Sequence, residues 1–317
     1  MRQDEITEVV ERSAKLVAEH YVFPDVAERI AAHLGDRLRA GRYADVAGPP
    51  ALGDLVTEDL QSVNQDLHLR LKHHVTALPE RDQDPDEDAW AALTARQMGG
   101  VARVERLAGN VGLLDLRPFL APPQLGGAAV TAALGLLAGT DALLLDLRGN
   151  RGGSPDMVAL ICGWFFAEPV HLHTMYNRAG AGRQFWSAAH LPVPRYDRDK
   201  PVYVLTGPDT FSGGEELAYD LQQLGRATLV GERTRGGAHP RTGFRAHPHL
   251  ELTVPVARPV HAVTGTNWEG CGVAPDVAAP AGEARDTAYR MALESLLAAD
   301  PQRPTADEAR EAVAALA

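Results

Sequence analysis

Apolar residues in the first seventy positions recur at helical spacing. Ile6, Val9, Val10, Leu16 and Val17 share one face; Val26, Ile30, Leu34 and Leu38 fall four apart; Leu52, Leu55, Val56, Leu60 and Val63 make a third stripe. Phe23-Pro24-Asp25 and Gly48-Pro49-Pro50 punctuate the stripes, as proline at a helix start should. The pattern then changes. Strands are expected at Val101–Leu107 and Val111–Leu116 around a Gly109-Asn110 turn. A helix at about 125–138, an apolar strand at Ala142–Leu147 and a helix at Pro155–Phe166 follow. Next come a strand at 202–206, a helix at 213–224 and strands at Ala227–Gly231 and Leu250–Val256. Continuous apolar strands alternating with helices predict a parallel or mixed sheet covered on both faces. The fold class is therefore α/β with a helical N-terminal subdomain at 1–75 and an α/β domain at 76–317. The acidic, proline-containing stretch Leu78–Asp88 reads as a surface loop, and the alanine-rich tail, Ala284–Leu297 and Ala306–Leu316, as helices for packing or contacts between copies.

Composition narrows the partners more than the chemistry. A net charge of -11 with no basic block argues against a nucleic-acid or anionic-membrane partner. Two cysteines, Cys162 and Cys271, make no disulfide framework, and no Cys, His and carboxylate group has ligand spacing, so neither metal nor cofactor is expected. His171-Leu172-His173 would put two rings on one side of a strand, without an evident third ligand. The N-terminus has no signal-peptide pattern and no apolar run spans a bilayer, which predicts a cytoplasmic protein.

Chemistry concentrates in two loops. Thr210-Phe211-Ser212-Gly213-Gly214-Glu215-Glu216 joins the 202–206 strand to the next helix. A serine at that junction has an exposed hydroxyl beside helix amides that lack intrahelical partners, although serine is also a common N-cap. Asp146-Leu147-Arg148-Gly149-Asn150-Arg151-Gly152-Gly153 ends another strand of the same expected sheet, where ligand sites gather in open α/β folds. It has neither the lysine ending of a phosphate loop nor the dinucleotide fingerprint. Two such loops side by side, each offering backbone N–H groups, can form an oxyanion hole.

These blocks, with Gly225-Arg226-Ala227 and Val230 through Gly237, resemble in order and spacing the tail-specific, or C-terminal processing, serine peptidases. Gly236-Gly237-Ala238-His239-Pro240 and the helical N-terminal region resemble the branch holding the repeats of interphotoreceptor retinoid-binding protein. The resemblance implies a ClpP/crotonase-like core with Ser212 as nucleophile. It also implies a lysine base where this chain has Gly237, so the Ser/Lys dyad is absent and another base is needed. No PDZ-like insertion is expected, because residues 75–100 are too few to hold one.

The tricorn core protease, a relative, uses a serine, a histidine from the early part of the core and a late glutamate. Asp66-Leu67-His68 resembles the segment of that histidine and Glu269-Gly270-Cys271-Gly272-Val273 that of the glutamate. The resemblance thus implies a Ser212, His68, Glu269 set, with the amides of Gly213 and Gly152 holding the oxyanion. His239, two residues past the missing lysine, is the alternative base or a wall of the site. The expected function is a serine hydrolase, a peptidase first, with a non-peptide ester or amide as the other substrate class. A module binding an apolar ligand is the competing expectation, using the aromatic residues Trp164, Phe165, Phe166, Tyr176, Phe185 and Trp186, which equally suit a core.

Overall fold

The computed structural model describes residues 1–79 and 87–316, so most of the loop expected at Leu78–Asp88 lies outside the described residues. In chain order, α1 (Gln3–His20), α2 (Pro24–Arg39) and α3 (Pro49–Gln61) precede β1 (Arg70–His73). Then come α4 (Glu87–Arg96), β2 (Val101–Leu107), β3 (Val111–Leu116), α5 (Pro123–Leu137), β4 (Ala142–Asp146) and α6 (Pro155–Phe165). They are followed by β5 (His171–Asn177), β6 (Gly182–Trp186), β7 (Val202–Thr206), α7 (Gly213–Gln223) and β8 (Thr228–Gly231). The rest is β9 (Arg241–His247), β10 (Leu250–Pro255), β11 (Ala257–His261), β12 (Val277–Ala278), α8 (Ala284–Ala299) and α9 (Ala306–Ala315).

These elements fall into two compact units. The first takes Met1–Asp86, Thr174–Arg183 and His239–Val260; the second takes Glu87–His173, Gln184–Ala238 and His261–Ala317. The chain therefore leaves the helical unit and re-enters it twice, which a contiguous run of three stripes does not foretell.

In the first unit the three expected helices form with proline at or next to the first turn of α2 and α3. Their stripes bury Ile6, Val10, Ile30, Leu34, Leu52 and Leu60 in one cluster with Leu71, Leu250, Leu252 and Val254. Those last four come from an antiparallel sheet of order β1-β10-β9, in which Leu71 pairs with Leu252 and Arg70 with Thr253.

The second unit is built on a sheet of order β12-β8-β7-β4-β3-β2, in which β3, β4, β7, β8 and β12 run parallel and β2 pairs antiparallel at the edge. Alternate residues serve opposite faces. Leu114, Leu143, Leu145, Val202, Val204 and Leu229 pack with Leu134 of α5, Ile161 of α6 and Leu217 and Leu221 of α7. Leu113, Leu144, Tyr203, Leu205 and Val230 pack with Ala288, Ala292 and Leu293 of α8 and Ala309 of α9. The expected mixed α/β fold, covered on both faces and with a helical N-terminal region, is what forms. The remaining sheet has the order β11-β5-β6. Among the described residues, no helix is long and apolar enough to cross a membrane.

Candidate active site

Strands β4 and β7 are adjacent and parallel, so the loops at their C-terminal ends lie side by side. Hydrogen bonds join them. Phe211 N–H donates to Asn150 O at 3.0 Å, and the Thr210 hydroxyl donates to Leu147 O at 2.9 Å. Asn150, fully buried, donates its side-chain amide to Leu116 O at 2.9 Å and accepts the Gly152 N–H at 2.9 Å.

Ser212 stands where β7 has turned into α7. Its backbone has φ 51° and ψ -121°, a left-handed conformation that non-glycine residues seldom adopt. Such a conformation costs roughly 1–3 kcal/mol and persists only when its surroundings enforce it. A sharp turn of this kind lifts a serine hydroxyl above the end of a parallel sheet. The adjoining loop makes room for it: Gly152 has φ +113°, and a Cβ built there would meet Ser212 Cβ at 2.8 Å and Oγ at 3.3 Å.

The enforcing group is Glu215, which is fully buried. Its carboxylate accepts the Ser212 N–H at 2.8 Å, the Thr234 hydroxyl at 2.5 Å, the Gly236 N–H at 2.6 Å and the Gly237 N–H at 2.9 Å. Burial pushes its pKa above the ordinary carboxylate value, while these four donors pull in the other direction. The serine turn is thus tied to the segment where the sequence lacks its lysine. Gly237 O in turn accepts the indole N–H of buried Trp268 at 3.0 Å, and Glu269 Oε2 accepts the Ala238 N–H at 2.5 Å. Glu269 itself is half-buried.

The imidazoles named from the sequence belong to the first unit. His68 and His239 are both buried there, with Asp66. Asp66 Oδ2 accepts from Tyr21 Oη and from His239 Nδ1, each at 2.9 Å, while Asp66 Oδ1 accepts the His68 N–H at 3.0 Å. An ionised carboxylate only accepts, so this pattern assigns the proton of neutral His239 to Nδ1 and leaves Nε2 as its basic nitrogen. Burial pushes Asp66 up, but the bonds from His239 and Tyr21 outweigh it and hold the carboxyl below its usual range. His68 is pushed down to about 4, chiefly by burial, against the opposing pull of Asp66. Asp66 therefore pairs with His239, the residue expected as the alternative base, and also accepts the His68 backbone N–H.

Residues 110–279, more than half of the chain, match peptidase family S41, and residues 2–108 match the N-terminal domain of peptidase S41 in eukaryotic IRBP. The chain belongs to peptidase family S41. It is 33% identical over 120 residues to a carboxyl-terminal-processing protease of Synechocystis sp., covering 38% of this chain and 27% of that protein. A protein of the same description from Picosynechococcus sp. is 31% identical over 169 residues, covering 50% of this chain and 38% of the relative. The matches thus span well under half the length of these relatives. In fold, the chain is similar to the crystal structure of the tricorn protease, with a TM-score of 0.62 at 15% identity over 93% of this chain and 37% of the other.

For an S41 chain, two positioning groups escaped the sequence reading: Asn150, hub of the first loop, and Glu215, anchor of the serine turn. Both lie inside motifs singled out for their glycines and serine, and a buried polar residue within such a motif is the signal that marks them. The expectation for Gly152 changes as well. Its N–H is committed to Asn150 Oδ1, so it serves the serine by lacking a side chain.

Proposed function

We propose that this chain is a serine hydrolase that cleaves peptide bonds, with Ser212 as the nucleophile. The observation that carries this reading is the enforced left-handed turn at Ser212, opening α7 and cleared by Gly152. In this reading His68 takes the Ser212 proton and returns it to the leaving amine. Glu269, held by the Ala238 amide, orients the imidazole and stabilises its charged form. The Gly213 N–H, in the first turn of α7 where amides lack intrahelical acceptors, donates to the oxyanion. Short peptides are the assigned substrate class, with esters and amides of similar size as the alternative. The cysteines are unpaired, Cys162 buried and Cys271 exposed, which suits a reducing compartment, and we assign the cytoplasm.

One observation favours a second reading of the base. The Asp66–His239 pair is a carboxylate holding Nδ1–H, the arrangement that prepares Nε2 to accept a proton. The apolar-ligand reading fares less well: Trp164 and Phe165 are core residues, although Phe165 and Phe166 do border a cavity of about 400 Å³.

The test is kcat/KM on peptides first found by mass spectrometry of a digested peptide mixture. Members of such a set act as a unit, so Ser212→Ala and His68→Ala should fall by similar factors, on the order of 10⁴ or more. Glu269→Gln should lose less and His239→Ala least. Turnover that survives His68→Ala and disappears with His239→Ala would transfer the base to the Asp66–His239 pair. Turnover that survives Ser212→Ala would end the serine-hydrolase reading.

A further inference from the structure

One side of α7 carries a group that the proposed hydrolysis does not use. Glu216 and Asp220 are four residues apart, so their carboxylates project from the same face of the helix. They meet His173 from β5 and His261 at the end of β11, beside β5, where the Ala262 N–H donates to Leu172 O at 2.9 Å. All four side chains are at least nine-tenths buried. His173 Nε2 is 3.7 Å from Glu216 Oε1, and His261 Nε2 is 3.6 Å from Asp220 Oδ1. One donor atom each from His173, Glu216 and Asp220 lies within 4.8 Å of the other two. Neither nitrogen of His173, neither oxygen of Asp220, nor Glu216 Oε1 has a hydrogen-bond partner among the described residues.

Two buried carboxylates, three of whose four oxygens lack a hydrogen-bond partner, beside an unpartnered imidazole are unfavourable unless something neutralises them. We propose that His173, Glu216 and Asp220 bind a divalent first-row transition-metal ion that fastens α7 to β5. A doubly charged ion balances both carboxylates, and a ligand set that includes an imidazole suits zinc and its neighbours better than calcium or magnesium. Ligands about 2.1 Å from a tetrahedral zinc ion sit roughly 3.4 Å apart, so the 3.7 Å His173–Glu216 pair is close to that spacing and pairs as far apart as 4.8 Å would close by up to about 1.4 Å on binding. His261 has the supporting part. Its Nδ1 accepts the N–H groups of Val263 and Thr264 at 3.2 and 3.3 Å, so Nε2 keeps its proton and lies 3.6 Å from Asp220 Oδ1, where a small shift would let it support the ligand. The sequence concealed the site because its ligands come from two separated segments, β5 and α7, and the supporting His261 from a third; His171-Leu172-His173 showed only one side of it.

The experiment is calorimetric titration of chelator-stripped, full-length protein with ZnCl2, paired with thermal unfolding. One zinc should bind per chain and raise Tm, while MgCl2 and CaCl2 at the same concentration should leave Tm unchanged. His173→Gln and the double variant Glu216→Gln/Asp220→Asn should each weaken zinc binding at least 100-fold. If a variant does not fold, cobalt(II) added to the stripped wild type decides the matter, with visible bands of a nitrogen- and oxygen-bound ion expected. Three histidines of the first unit serve as the control, His249 with the ring centroids of His73 and His247 at 6.3 and 6.2 Å. His249→Ala should leave the tight binding intact. No saturable zinc binding and no cobalt bands, or binding that resists His173→Gln and vanishes with His249→Ala, would overturn the proposal. None of these readouts involves hydrolysis, so they stand apart from the role given to Ser212.

Discussion

Replacing Glu215 by glutamine removes one negative charge and exchanges an acceptor for a donor at the group that fixes the serine turn. Glutamine keeps a single acceptor oxygen, and the amide has two possible orientations. With its nitrogen at the Oε2 position it would face the N–H groups of both Ser212 and Gly237. At the Oε1 position it would face the Gly236 N–H and the Thr234 hydroxyl, which can rotate to accept, though it already accepts the Val273 N–H at 2.7 Å. The second orientation is the less costly. It leaves one buried N–H without an acceptor, about 1–3 kcal/mol, and removes the charge assistance from the bonds that remain, roughly another 1 kcal/mol. The expected destabilisation is therefore about 2–4 kcal/mol. All 4 tryptophans belong to the second unit, with Trp164 and Trp268 fully buried, so intrinsic fluorescence during urea unfolding reports on the right part of the chain. With a urea m value of about 2–3 kcal/mol per molar, the midpoint should fall by roughly 1 M. A loss below about 0.5 kcal/mol would refute the claim that these four donors depend on Glu215.

Gly152→Ala should act by steric contact on the same turn. Bringing its Cβ from 2.8 Å to the 3.4 Å of ordinary contact moves Ser212 or the loop by 3.4 − 2.8 = 0.6 Å. Displacement on that scale at a nucleophile can lower kcat/KM by up to about 100-fold, with about 1–3 kcal/mol of strain at φ +113°. Unchanged turnover in a folded Gly152→Ala variant would separate the glycine from the serine's geometry. A base must be neutral to act, and the His68 pKa lies near 4, so kcat/KM should hold from pH 7 to about 5 and decline through pH 4. A decline centred near pH 6.5 would contradict His68 as the base. The same shift bears on stability: the folded pKa lies below the usual 6.5, so stability is lost as pH falls from 6.5 toward 4. The limit is about 3 kcal/mol, and His68→Gln should remove that part of the pH dependence of urea unfolding.

Much of this architecture was legible because the strands of the central sheet are continuous apolar runs, and Leu143 to Leu145 can only be a buried strand or buried helix between glycine-bearing loops. Polar strands were not. Arg70–His73 and Arg241–His247 carry too few apolar residues to reveal an alternation, and they become strands only by pairing with β10. At the site, the serine loop and the glycine loop were visible as local motifs, since glycine and serine report backbone requirements directly. What stayed hidden depends on long-range pairing. Asp66 and His239 are 173 residues apart, and nothing in Asp66-Leu67-His68 says that its carboxylate serves a different histidine. Likewise the Gly152 amide looks available until Asn150, two residues earlier, folds its side chain back onto it.

Active-site labelling reads directly whether Ser212 is a nucleophile. The protein should be incubated with a fluorophosphonate probe at pH 7, digested, and the adduct located by mass spectrometry. One covalent adduct per chain on Ser212 is expected, absent from Ser212→Ala and slowed in His68→Ala in proportion to its lost turnover. A protein that hydrolyses peptides while Ser212 stays unmodified, or that takes the label on a different residue, would contradict the account.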